Sequence, residues 1–141
     1  MRLNNVNSDI EPYGVFIWDI ENFSSLKSVK KVDSEPFLTH INGYRMQIRM
    51  LPNCTYSSIS SVGFYPNCIS GDYDEYLVWP FNCTVTFGII DPSTGESVRE
   101  QSRIIEYYSP IKSHVTPFHF NNYRSLIANN CLSIKCSIEI S

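Results

Sequence analysis

The chain has 141 residues, 43% of them hydrophobic, with 11 basic and 14 acidic side chains and a formal net charge of -3. That length suits a single domain, and the apolar content is too high for a disordered segment. The slightly acidic balance gives no basis for nucleic acid or an anionic membrane surface as partner, and no apolar run reaches membrane-spanning length.

Residues 1–11 are polar and lack the apolar core of a signal peptide. They read as a lead-in, or the end of an upstream region, to a domain over residues 12–141. Val15 and Ile17 alternate with Phe16, Trp18 and Ile20, which predicts a strand buried on both faces. Ser24 to Lys30 is short and polar and fits one helical turn capped by Ser24 or Ser25. Asn42-Gly43 marks a turn. After it Tyr44, Met46, Ile48 and Met50 alternate with Arg45, Gln47 and Arg49, the period-two pattern of a half-buried strand.

Gly71 to Phe81 holds a turn, the acidic residues Asp72, Asp74 and Glu75, then Leu77, Trp79 and Phe81 at alternate positions. Such spacing places the three apolar residues on one face of an extended segment, and Pro80 between them favours an edge or a lead into a sheet. Val85, Phe87 and Ile89 alternate with Thr84, Thr86 and Gly88. Asp91-Pro92-Ser93-Thr94-Gly95 supplies a preset φ and a flexible glycine for a hairpin link. Asn121 to Ile127 fits a brief helix. Leu132, Ile134, Cys136, Ile138 and Ile140 alternate with Ser133, Lys135, Ser137 and Glu139 in the clearest strand of the chain. Seven or eight short strands with turns between them define an all-β, antiparallel β-sandwich.

The five cysteines, Cys54, Cys68, Cys83, Cys131 and Cys136, include no C-x-x-C pair and are read as free, mostly buried thiols of a cytosolic protein. Against that stand two formal N-glycosylation triplets, Asn53-Cys54-Thr55 and Asn82-Cys83-Thr84. Chemistry finds little support. Of the three histidines, His114 and His119 fall on opposite faces if extended, so no metal site is expected. No cysteine carries a signal of thiolate activation, and no glycine-rich phosphate loop or other cofactor motif is present. Neither an enzyme nor a cofactor is expected.

Gly14-Val15-Phe16-Ile17-Trp18-Asp19-Ile20-Glu21-Asn22-Phe23-Ser24 is similar to the opening strand of a MATH domain (meprin and TRAF homology). Ser34-Glu35-Pro36-Phe37, with Gly43 to Arg49, resembles the next two strands. Gly71 to Phe81 resembles the G-x-Y-D-x-x-L-x-W-P-F signature of the TRAF-C and meprin branches, and Leu132 to Cys136 the closing strand. The resemblance covers residues 12–140. It implies an eight-stranded antiparallel sandwich and the role of the tumour necrosis factor receptor-associated factors. Those are non-catalytic cytoplasmic adaptors that hold short peptide motifs of receptor tails or signalling proteins in a shallow groove at the sandwich edge. They trimerise through a preceding coiled coil; no heptad repeat precedes the domain here. The stretch 109–124 is also shorter than the family's groove-forming region.

The resemblance implies that Arg49 faces an acidic side chain of the peptide, with Leu51 and Tyr65 lining the groove. Ser113, His114, Val115 and Thr116 are the candidates for its edge strand, and Tyr108 for an apolar wall together with Phe118, whose other role is core packing. The rival reading is a structural or assembly MATH domain of a meprin-like extracellular protease, with glycans on both triplets and some cysteines bridged.

Overall fold

The computed structural model describes residues 13–56, 59–110 and 115–141. In chain order its strands are β1 (Val15–Ile20), β2 (Val32–Asp33), β3 (Phe37–Leu38), β4 (Arg45–Tyr56), β5 (Ile59–Ile69), β6 (Phe81–Ile90), β7 (Ser97–Tyr107), β8 (Phe118–Phe120) and β9 (Leu132–Ile140). All pairings are antiparallel. One sheet runs β1-β9-β6-β7; the other runs β2-β4-β5-β8, with β3 also paired to β4. Strands β2 and β3 are one strand with a step: Asp33 pairs with Arg49, Phe37 with Met46, a one-residue slip in register. At the step the Ser34 hydroxyl takes the Ile48 N–H at 2.9 Å. Counted that way the described residues form eight strands, as the resemblance implies.

The alternating residues do what their period predicts. Met46, Ile48, Met50, Val62 and Phe64 from one sheet, and Val85, Phe87, Leu132, Ile134 and Cys136 from the other, are buried in one shared core. Burial of each large apolar side chain contributes roughly 1.5–3 kcal/mol. Phe118 and Phe120 join this core from β8. The link between β6 and β7 closes where expected, with the Asp91 N–H on the Glu96 carbonyl at 2.8 Å.

Four expectations change. Strand β1 lies at a sheet edge and is half-covered: Phe16, Ile17 and Trp18 are partly buried, and Val15 is exposed. The turn near Ser24 is a 3-10 turn over Phe23–Leu26 whose N-cap is Asn22 in the left-handed region; no serine caps it. Leu77 and Trp79 precede the strand, after a 3-10 turn at Asp74–Tyr76, and β6 begins at Phe81. The indole of Trp79 donates to the Asp74 carbonyl at 2.9 Å, a bond that competes with extension. Its ring still meets Tyr44 and Phe81 edge-on, so the apolar residues converge without sharing a strand. The Asn121–Ile127 helix reduces to a 3-10 turn at Arg124–Leu126.

Candidate functional site

Strand β8 is three residues long and forms an edge of its sheet. It pairs with β5 through Val62–Phe120, Gly63–His119 and Phe64–Phe118. Across the gap on its other side stands β7, the edge of the opposite sheet. The inward face of β7 follows its register: Gln101 opposes Phe87, Arg103 Val85, Ile105 Cys83 and Tyr107 Phe81. All four partners are core residues. Ile105 and Tyr107 complete the core, but Gln101 and Arg103 extend past it to the rim of β8.

There they form a ladder of side-chain donors. Arg103 donates to the carbonyls of Thr116 and, at 2.9 Å, Pro117. Gln101 donates to the His119 carbonyl at 2.7 Å. Arg99 donates to the carbonyls of Asn121, at 3.1 Å, and Asn122. Side chains thus take the place of a backbone ladder between two sheet edges, and inward-pointing charges also guard an edge against stray pairing. A slip in the β6–β7 register between Phe87 and Ile89 sets the aim of Arg99, which has φ 57°. Gly88 lies at that slip. A Cβ there would stand 2.0 Å from the Ser97 hydroxyl, which would have to turn aside, so the close approach of the bulged strand favours glycine.

On the outer face of this sheet Arg49 and Tyr65 are cross-strand partners, and Leu51 opposes Gly63 in the next row. Three predicted residues are therefore neighbours. Arg49 is committed, however. Its Nε and Nη2 bind both carboxylate oxygens of Asp33, at 2.7 and 3.0 Å. The hydrogen bond from Arg49 holds the Asp33 carboxyl below its usual pKa, and Asp33 raises that of Arg49, to which Tyr65 also bonds. Asp33 escaped the sequence reading because it lies on a separate strand. The His119 ring, beside Ser61 at 3.4 Å, has its pKa lowered by burial and then by Arg103.

Val115 and Thr116 lead directly into β8, with Thr116 exposed. Ser113 and His114 lie outside the described residues. Tyr108 follows the last residue of β7 on the other sheet and is 64% exposed. A hydrogen bond to Glu106 raises its phenol pKa. Gln101, Arg103 and Arg99 were missed, because Ser97 to Arg103 is polar on both faces apart from Val98 and no apolar period marks which face points inward.

The cysteines are free, with Cys68, Cys83 and Cys136 buried. Burial pushes the Cys83 thiol up to about 11 and Cys68 to about 12, and raises Cys136 as well, so all three are protonated at neutral pH. The Asn53 amide nitrogen, which a glycan would substitute, donates to the carbonyls of Leu26 and Lys27. Among the described residues no group of three metal-ligating side chains occurs, and no helix is long and apolar enough to cross a membrane.

A family model described as MATH domain matches residues 15–138. TNF receptor-associated factor 6-B of Xenopus laevis is 26% identical over 90% of this chain and 27% of its own length. TNF receptor-associated factor 6 of Bos taurus is 28% identical over 89% of the chain and 28% of its own length. The chain therefore spans little more than a quarter of these relatives. Among solved structures, Notothenia coriiceps TRAF5 superposes with a TM-score of 0.66 at 22% identity, covering 91% of this chain and 74% of that one, a likeness of fold. The chain belongs to the MATH domain family.

Proposed function

We propose that the domain binds short linear peptide motifs of receptor cytoplasmic tails or signalling proteins, in extended form, along the rim where residues 115–117 lead into β8. It does so in the cytoplasm and without catalysis. The observation that carries this reading is the edge position of β8: the carbonyl of Pro117, just before it, and that of His119, within it, meet side-chain donors in place of a neighbouring strand. A sheet edge of this kind accepts an extended peptide by backbone hydrogen bonding, with side-chain pockets adding selectivity. Thr116 and Val115 would flank the peptide backbone. Leu51, Tyr65 and Arg49 would form the adjoining face, and Tyr108 a wall.

A short peptide covers less than a standard interface, so single-site affinity is about micromolar or weaker. Clustering would then supply avidity, and trimerisation through a coiled coil upstream of such a domain is one way to obtain it. The test is Thr116→Glu, an exposed change that places a carboxylate on the rim beside Arg103. Binding to an octapeptide array should fall about tenfold or more, an effect of the size expected for one charge-assisted contact. Equal binding by variant and wild type would move the site elsewhere.

A further inference from the structure

Arg99 and Arg103 both reach this rim from β7, and Arg49 lies on β4, beyond β5; the surroundings of Arg49 and Arg103 differ most. Arg49 is matched, nitrogen for oxygen, by Asp33. Arg103 faces neutral groups: the carbonyls of Thr116 and Pro117, and the ring of Phe118, whose centroid is 3.9 Å from the guanidinium carbon. Among the described residues no carboxylate pairs with it; the ion pair present is that of Arg49. Its position opposite Val85 is one where an aliphatic side chain would have joined the core. A full positive charge is thus held at the seam by dipoles alone.

We infer that Arg103, and not Arg49, selects the ligand: it reads a carboxylate on the extended peptide docked along the β8 rim. The inference rests on the peptide-binding reading above and deepens it. When the guanidinium turns from the Pro117 carbonyl to a peptide Asp or Glu, a peptide N–H takes its place on that carbonyl. No buried acceptor is left without a donor, and the guanidinium exchanges a charge–dipole bond for a charge–charge pair. A peptide with no acid at that place gains nothing from displacing Arg103. Gln101 holds the His119 carbonyl in the same manner and yields to the next peptide N–H.

The experiment compares wild type, Arg103→Gln and Arg49→Gln against two degenerate octapeptide pools that differ only in a central Glu or Gln, by fluorescence anisotropy. Gln at position 103 keeps N–H donors for the rim carbonyls while removing the charge, and thermal unfolding confirms that each variant is folded. Wild type should prefer the Glu pool about tenfold. Arg103→Gln should lose that preference, and Arg49→Gln should keep it. Retention by Arg103→Gln, or loss by Arg49→Gln, overturns the inference. If neither pool binds wild type, the peptide-binding reading fails, and Arg103 is judged separately by titrating the labelled domain with N-acetylglutamate. A larger shift of the Arg103 Nε–H resonance than of the Arg49 one upholds carboxylate selection; equal or absent shifts refute it.

Discussion

The two halves of β7 present the same inward face of one strand, yet they join the sheets by different means. In the second half Ile105 and Tyr107 are buried, and the Tyr107 hydroxyl donates to the Pro66 carbonyl of β5 at 2.7 Å. The Tyr107 ring stacks on Phe81 at 5.2 Å, and Phe81 on Tyr44 at 3.6 Å. In the first half Arg99, Gln101 and Arg103 reach the carbonyls of the segment around β8 near solvent. The aromatic half gains from both area and packing, and a loss there leaves a cavity. The ladder half consists of hydrogen bonds that water or another N–H can replace at little net cost. One half is suited to hold the fold, the other to exchange with a ligand.

Breaking the aromatic half should cost most. Tyr107→Ala should lower stability by about 3–5 kcal/mol in urea unfolding, the range for a large buried ring. Tyr107→Phe keeps the ring but leaves the Pro66 carbonyl without its donor, at about 1–3 kcal/mol. A loss under half a kcal/mol for Tyr107→Ala would remove the distinction between the halves.

Gly88→Ala tests the junction between ladder and core. The added methyl forces the Ser97 hydroxyl aside and should cost about 1 kcal/mol. It should also loosen Arg99 from the Asn121 and Asn122 carbonyls, read as faster amide exchange at residues 121–123. Unchanged exchange would uncouple the bulge from the ladder.

The smallest effect belongs to Arg49→Ala. Its pair with Asp33 is partly exposed and contributes about 1 kcal/mol or less. Because the Asp33 pKa is lowered in the folded state, that contribution is present above the unfolded value near 3.8 and disappears as pH falls through the lower folded value. Wild type and variant should therefore differ in melting temperature at pH 6 and converge toward pH 2. A difference that grows on acidification would contradict the pairing.

The contrast within β7 also explains what the sequence made legible. Strands β4 and β9 alternate apolar with polar side chains, so their period is readable without partners, and Asp91 to Gly95 carries its own turn chemistry. In β7 the stretch Ser97 to Arg103 is polar on both faces apart from Val98, so no apolar period marks it. The partners that give it meaning lie 13–23 residues further on, at Thr116 to Asn122. The same distance hid Asp33 from Arg49, 16 residues apart. Arg49, Leu51 and Tyr65 were grouped by the family resemblance, and the pairing of β4 with β5 brings them together. Whether β1 would be covered on one face or two depended on its place at a sheet edge, which its own composition does not encode.

The central claim, that an extended peptide docks along the β8 rim, is tested most directly by amide exchange of the domain with and without saturating peptide selected from the array. The account predicts added protection over residues 115–120, with residues of the four-stranded sheet's outer face, such as Thr84, Thr86 and Ser137, unchanged. Protection centred on that outer face, with the rim unaltered, would contradict it.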